Sequence, residues 1–207
     1  MIICFIIFIM AYIYIYPQQN QHSYGYMQKR ADTLTHYLDY NHKVYYKINY
    51  ENDSLYSIIW GKNGKSFQSK KYPYANAYGH HVPYLYSKNY LISEISCGTD
   101  CYYTLFLSMD GKVDKEYFYC FAYNLKKDLV AYVVYDDNYY GTYVIENLRT
   151  NKKLVFRLPG IGNDLDFMYT AVTKAIFRGE KLTVYYLAKD YKGEIKTKKI
   201  TIDCDLE

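Results

Sequence analysis

Four short turns punctuate the chain at nearly even intervals: Gly61-Lys62-Asn63-Gly64-Lys65, Met109-Asp110-Gly111-Lys112, Arg149-Thr150-Asn151-Lys152-Lys153 and Tyr191-Lys192-Gly193-Glu194. Each follows a hydrophobic stretch and precedes another that carries Lys. The marker residues Gly64, Gly111, Asn151 and Gly193 are 47, 40 and 42 positions apart, close to the roughly 40 to 45 residues of a four-stranded propeller blade. Between the turns, Lys43 to Tyr50, Leu55 to Trp60, Tyr84 to Ile95, Tyr102 to Leu107, Tyr117 to Phe121, Leu129 to Tyr135, Thr142 to Ile145, Leu154 to Leu158, Leu182 to Ala188 and Ile195 to Ile202 are rich in Tyr, Val, Ile, Phe and Thr. Such residues suit a pleated, half-buried surface and read as strands. Within one unit, Asn124 to Asp128 turns into Leu129 to Tyr135, Asp136-Asp137-Asn138 leads to Tyr143 to Leu148, and the Asn151 turn leads to Leu154 to Leu158. That order is an antiparallel meander. The expectation is an all-β domain over residues 42–207, built of four-stranded meander repeats in a propeller-like array. A β-sandwich or barrel with evenly spaced hairpins is the alternative, because Tyr-rich strands easily look self-similar. Residues 163–178 read either way, since Leu165, Met168, Tyr169, Val172 and Ile176 also fit a helical stripe.

The first 28 residues contain no Asp, Glu, Lys or Arg, and Ile2 to Tyr16 is an almost unbroken apolar run ending at Pro17. The run is shorter than the roughly 20 residues a membrane-crossing helix needs and fits the apolar region of a secretory signal peptide. Residues 1–23 therefore read as a signal peptide or, with Lys29 and Arg30 as its flank, an uncleaved membrane anchor; a buried strand or helix is the third possibility. Cys4 lies too near the start to read as a lipid-attachment cysteine. Residues 24–41 read as a short helix and linker, with Met27, Ala31, Leu34 and Leu38 at three- and four-residue steps.

Setting Cys4 aside leaves Cys97, Cys101, Cys120 and Cys204, an even number compatible with two disulfides in an oxidising compartment. In an extended strand Cys97 and Cys101 would be about 13 Å apart, whereas a disulfide needs less than about 7 Å. The chain must turn at Gly98-Thr99-Asp100 if they pair, and those are turn-forming residues. Such a small loop would gain about 2 kcal/mol, while a Cys120 to Cys204 bridge would gain about 4.5. The other readings are a redox or metal-binding pair, for which neither the C-x-x-C spacing nor a zinc quartet is evident, and free thiols.

Ser96-Cys97-Gly98-Thr99-Asp100-Cys101, the strand Tyr102 to Ser108 and Asp110-Gly111-Lys112-Val113 together resemble small exported bacterial proteins with a C-G-x-x-C type loop, a strand and a D/T-G-K-V turn. The resemblance covers about 17 residues. It implies a bacterial envelope protein, periplasmic or secreted, and carries over no catalytic or binding residue.

Among possible chemical groups, His22, His36, His42, His80 and His81 are the histidines. His80 and His81 would face opposite sides of a strand and read as a polar loop before Val82-Pro83. No G-x-S-x-G elbow, H-E-x-x-H helix or phosphate-cradling Gly loop is present. Asp136-Asp137-Asn138 and Asn163-Asp164-Leu165-Asp166 cluster oxygen ligands without the spacing of a calcium loop and read as solvated turns. Glu94 and Glu116 would suit a paired-carboxylate site, but nothing in the sequence brings them together. No cofactor or metal is expected. A net charge of +4 with no long Lys/Arg run gives no concentrated field for nucleic acid.

Tyrosine is the most abundant chemical resource, at 31 of 207 residues. Its ring and hydroxyl suit protein recognition or stacking against sugars. Tyr72, Tyr74, Tyr78, Tyr84 and Tyr86, around His80 and His81, form the densest group, and Tyr139, Tyr140 and Tyr143 a second. An AT-rich coding sequence raises Tyr, Asn, Ile and Lys together, so most of these rings read as strand fillers. The functional expectation is an exported interaction module binding a protein or cell-wall glycan through Tyr-rich loops, with the membrane reached only through residues 1–16. An inhibitor or immunity-type protein is one version of it. The alternative is an envelope hydrolase whose Asp, Glu and His converge only in three dimensions.

Overall fold

A two-residue alternation of side chains governs the middle of the chain: Tyr90, Ile92 and Phe106 turn to one core while Leu91, Leu105 and Leu107 turn to another. A strand that is apolar on both faces must be covered on both, and the fold meets that demand by stacking sheets. The structure, a computed structural model, describes residues 35–38, 43–51, 54–73, 82–98, 101–134, 142–161, 171–190 and 192–206. All belong to one compact unit, Thr33–Glu207.

Sheet I holds β1 (Thr35–Tyr37), β2 (Val44–Tyr50), β3 (Leu55–Lys62) and β4 (Lys65–Gln68) in that order, with β5 (Tyr72–Pro73) also pairing β3. Sheet II is β6 (Val82–Tyr86), β7 (Tyr90–Gly98), β8 (Cys101–Ser108) and β9 (Asp114–Phe118). Sheet III is β10 (Cys120–Asn124), β11 (Leu129–Val134), β12 (Thr142–Asn147) and β13 (Lys153–Phe156). Sheet IV is β14 (Val172–Arg178), β15 (Lys181–Lys189) and β16 (Ile195–Asp203). Each is an antiparallel meander, so the all-β expectation holds.

Three cores join the sheets in sequence order. Tyr56, Ile58 and Trp60 of sheet I pack with Leu91, Leu105 and Leu107 of sheet II. Tyr90, Ile92 and Phe106 meet Val130, Tyr132 and Val144 of sheet III. Leu129, Ala131, Val133, Tyr143 and Ile145 on the opposite face of sheet III meet Leu182, Val184, Tyr186 and Ala188 of sheet IV. Sheets II and III are thus covered on both sides. Polar groups at the turn ends tie the same neighbours together. Trp60 Nε1 donates to the Ser108 carbonyl at 2.9 Å. Arg149 bridges Asp110 at 2.8 Å and Asp128 at 3.1 Å, while the Tyr90 hydroxyl donates to Asp128 at 2.6 Å. Lys127 meets Glu180 at 2.6 Å. The Ser108 hydroxyl and, after a smaller opposing effect of burial, the Arg149 guanidinium hold the Asp110 carboxyl well below the usual carboxylate range.

Two details repeat with the sheets. The amide after the third strand donates to the carbonyl before the second: Asn63 to Lys43 (2.9 Å), Met109 to Asn89 (2.7 Å), Leu148 to Asp128 (2.7 Å) and Cys204 to Glu180 (2.6 Å). The first strands of sheets II, III and IV each carry a bulge near their start, at Pro83/Leu85, Cys120/Ala122 and Val172/Lys174. By these marks β2, β7, β11 and β15 are equivalent, and their first residues are 46, 39 and 52 apart. Gly64, Gly111 and Asn151 all sit at positive φ in the turn before a fourth strand. Gly193 has positive φ too, but it lies between β15 and β16, the second and third strands of its sheet. A tight hairpin demands such a residue wherever it occurs, so the turn sequence marks a hairpin without saying which one.

Other expectations are corrected. Thr35–Tyr37, inside the expected helix, is a strand paired with β2; ladder hydrogen bonds to an available edge override a weak helical periodicity. Leu38 follows that strand, its amide donating to the Val44 carbonyl at 2.8 Å; residues 24–34 and 39–41 and the apolar leader lie outside the described residues. Tyr84 to Ile95 is two strands, parted where Ser87 Oγ accepts from the Asn89 and Tyr90 amides at 3.2 and 3.0 Å. Tyr117 to Phe121 is also two, parted at Tyr119 with φ of 45°, where the chain passes from sheet II to sheet III. Val172 to Ile176 is extended in β14 rather than helical.

The long disulfide is overturned as well. Cys120 and Cys204 are free and buried, in the II–III and III–IV cores respectively, so sheet III stands between them. The β7–β8 hairpin turns where Gly98 faces Cys101; the side chains of Cys97 and Cys101 lie outside the described residues.

Candidate functional site

The tyrosine clusters divide on folding. Tyr72 is 2% exposed and donates its hydroxyl to Asp114. Tyr143 is fully buried and stacks on Phe156 at 5.5 Å. Both are interior side chains, because their strands pair in register with core positions, Tyr56 and Val133 respectively; the recognition role expected of them is corrected on this ground. Tyr84 and Tyr86 are on the surface: β6 is an edge strand of sheet II and presents Tyr84, Leu85 and Tyr86 at 49, 38 and 41% exposure. Three successive side chains can all be exposed because the Pro83/Leu85 bulge re-aims the strand. Tyr74, Tyr78, His80, His81, Tyr139 and Tyr140 lie outside the described residues, as do both Asp/Asn turns. Glu94 and Glu116 fall on opposite faces of sheet II, since Glu94 faces Thr104 and Glu116 faces the neighbouring Leu105. They form no pair.

A cleft of about 750 Å³ opens instead along β9, the other edge of sheet II. It is lined by all five residues of β9, by Tyr103 of β8, by Tyr132, Val133 and Val134 of β11, by Glu146 and Lys153 of sheet III, and by Lys70. The register explains which groups meet. Val130 pairs with Glu146 and Tyr132 with Val144, so Glu146 stands on the face of sheet III that looks toward sheet II. Lys115 and Tyr117 pair with Phe106 and Thr104, on the face of sheet II that looks back.

Glu146 is the centre of this cluster and only 4% exposed. Its Oε1 receives Lys115 Nζ at 2.7 Å, and its Oε2 receives the Tyr132 hydroxyl at 2.9 Å and Lys153 Nζ at 3.4 Å. Lys115 also donates to Asn151 Oδ1. Burial pushes the Glu146 pKa upward, but hydrogen bonds from Lys115 and Tyr132 and the charges of Lys115 and Lys153 outweigh it, leaving the carboxyl below its ordinary value. Glu146 is therefore a fixed anion. Tyr117 packs against Tyr132 with ring centroids 4.5 Å apart and the planes tilted by 43°, and is 7% exposed, yet its hydroxyl makes no hydrogen bond of good geometry. Burial, then the charge of Glu146 and the approach of the hydroxyl to that carboxylate, raises the phenol far above its usual pKa. On the far side of β9, Asp114 accepts from the Lys70 amide at 2.6 Å and from Tyr72. Tyr103 and Phe118 form a half-buried aromatic pair with centroids 5.1 Å apart.

Sequence reasoning missed this cluster. Glu146 sits in Thr-Tyr-Val-Ile-Glu-Asn, where an acidic residue in an apolar strand reads as its solvent side. The only signal was the Lys after each turn, and Lys153 follows the Asn151 turn. Chemically, the cleft offers paired charges and the Tyr117–Tyr132 rings on the side toward sheet III, and the Tyr103–Phe118 rings on the other face of sheet II. Among the described residues no three of His, Cys, Asp and Glu converge to hold a metal ion, and no helix is long and apolar enough to cross a membrane. No protein-family model, no curated protein and no solved structure matches this chain.

Proposed function

We propose that this protein is an exported binding module of the bacterial envelope, engaging a protein or a cell-wall glycan, and that its four sheets are blades of a propeller-like array. The observation that carries the binding role is β6. Surface aromatic residues grouped on an edge strand favour recognition, because Tyr supplies large contact area at low entropic cost. Two further observations support the setting. The apolar leader reads as an export signal, and Cys97 and Cys101 flank a hairpin turn that suits a short disulfide in an oxidising compartment. The two repeated marks, the closing hydrogen bond and the first-strand bulge, support a repeat architecture.

The test is affinity capture from a cell-envelope extract under non-reducing conditions, with purified wall glycan run beside it. Wild type is expected to retain one stoichiometric partner or the glycan, and a Tyr86→Ser variant, which leaves the Tyr84 hydroxyl with Tyr123 and Glu94, to lose it while melting at the same temperature. Equal retention by the variant would remove β6 from the account; no retention by wild type would remove the binding role.

A further inference from the structure

We infer that the outward face of sheet IV docks on the surface of an anionic lipid bilayer. This contact is separate from β6 and does not depend on it. Leu182, Val184, Tyr186 and Ala188 of β15 point into the core shared with sheet III, so Lys181, Thr183, Tyr185, Leu187 and Lys189 point away from it. Two contacts agree with that alternation. Thr183 and Thr201 share a hydrogen bond at 3.2 Å, and Lys199 Nζ lies 5.7 Å from the centroid of the Tyr185 ring. Pairing then places Lys174 and Lys199 on either side of Tyr185, and Arg178 and Asp203 on either side of Lys181. With Lys189, the face carries five cations and one carboxylate, all exposed. The whole chain has a net charge of only +4, so one face holds an excess as large as that of the molecule. Other acids of this region lie off the face: Asp190 and Glu194 meet Lys196 at the hairpin, and Asp205 follows β16.

Neither edge protection nor ordinary solvation explains the pattern. Lysines on edge strands discourage further pairing, but Lys181 and Lys189 stand on β15, which is paired on both sides. The other end sheet is the internal control. In sheet I, Tyr46, Ile48, Ile58 and Trp60 face the core, so β2 turns Tyr45, Lys47 and Asn49 outward and β3 turns Leu55, Ser57, Ile59 and Gly61 outward. Those positions hold one charge, Lys47.

The occupant follows from how the cations are spread. Strands about 4.8 Å apart, with about 3.4 Å per residue along them, distribute the five over a plane of about 27 by 10 Å. None of them lines the β9 cleft or the smaller one beside Cys204, so they do not converge on a discrete anion. Among them stand the half-buried Ile176, Tyr185 and Leu187, and Ile195, paired with Lys189, is 56% exposed. A dissolved polyanion gains little from these apolar groups. A bilayer interface uses both kinds: Lys lays its stem along apolar surface with the ammonium in the headgroups, Tyr sits at headgroup level, and each cation is drawn to the anionic surface.

Amine labelling with peptide mapping on the full chain tests this, with and without vesicles of phosphatidylglycerol. The apolar run Ile2 to Tyr16 would hold the chain to any bilayer, so phosphatidylcholine vesicles are the reference. On phosphatidylglycerol alone, labelling of Lys174, Lys181 and Lys199 should fall, while Lys126 and Lys152, exposed on turns of sheet III, keep their rates. In a Lys174→Gln/Lys181→Gln variant, the docking equilibrium read from Lys199 should drop about fivefold for each charge removed. Equal labelling of the two lysine sets, or the same protection on phosphatidylcholine, would overturn the docking face. Protection by dissolved polyphosphate and not by vesicles would overturn the lipid assignment and make the face a polymer site. The β6 reading stands or falls separately, on capture by the Tyr86→Ser variant.

Discussion

Removing the charge of Glu146 leaves Lys115 and Lys153 without their shared counter-ion and Tyr132 with a weaker acceptor. Glu146→Gln should therefore lower stability by about 2 kcal/mol at pH 7, read as a shifted urea midpoint at constant slope. The sign of the pH dependence follows from the depressed pKa. The ionised carboxylate stabilises the fold above the ordinary glutamate value of about 4.3, and that contribution is lost as pH falls through the lower folded value. The gap between wild type and Glu146→Gln should shrink by pH 3; an undiminished gap would contradict the ion-pair account. Cysteine gives a second residue-level outcome. Burial pushes the Cys204 thiol to about 11, and burial raises Cys120 further, so neither is nucleophilic at neutral pH. Alkylation with peptide mapping should label both only after denaturant is added. Labelling of either in the native state would show that its core opens.

At the level of elements, the turns before the fourth strands separate conformation from packing. Gly64 has φ of 79° and open space around it, whereas a Cβ on Gly111, at φ of 74°, would stand 2.3 Å from a ring carbon of Phe67. Gly64→Ala should cost about 1 kcal/mol for the left-handed backbone alone. Gly111→Ala should cost at least about 2, because Phe67 on β4 must also move and sheet I with it. Equal losses in thermal unfolding would mean that the turn does not pack there. These turns were legible because a tight hairpin restricts residue type so strongly. Strand identity was legible from β-branched and aromatic runs, but strand ends were not. Tyr119 takes a positive φ that a non-Gly residue rarely adopts, and nothing local announces it; the demand comes from sheets II and III closing on either side. Thr35–Tyr37 likewise becomes a strand because β2 offers an edge. The cleft was the least legible part, since Glu146, Lys115 and Tyr117 come from strands of different sheets and meet only through register.

For the molecule as a whole, the consequence of a serial stack is unequal protection. Sheets II and III share a core on each face, while sheets I and IV each contribute to one of the three described cores. In repeat architectures stability is close to a sum of unit and neighbour-interface contributions, so end sheets should open before central ones. Repeat spacing made the meanders visible in the sequence. It could not reveal the order of stacking, because the apolar alternation of β7 or β11 says that both faces are covered without saying by what. The most direct measurement is native-state hydrogen exchange under increasing denaturant. Amides of β7, β8, β11 and β12 should exchange only on global unfolding, with β2, β3, β15 and β16 released earlier. Equal protection of β2, β3, β15 and β16 with the central strands would contradict a serial stack and require sheets I and IV to be covered on their outer faces as well.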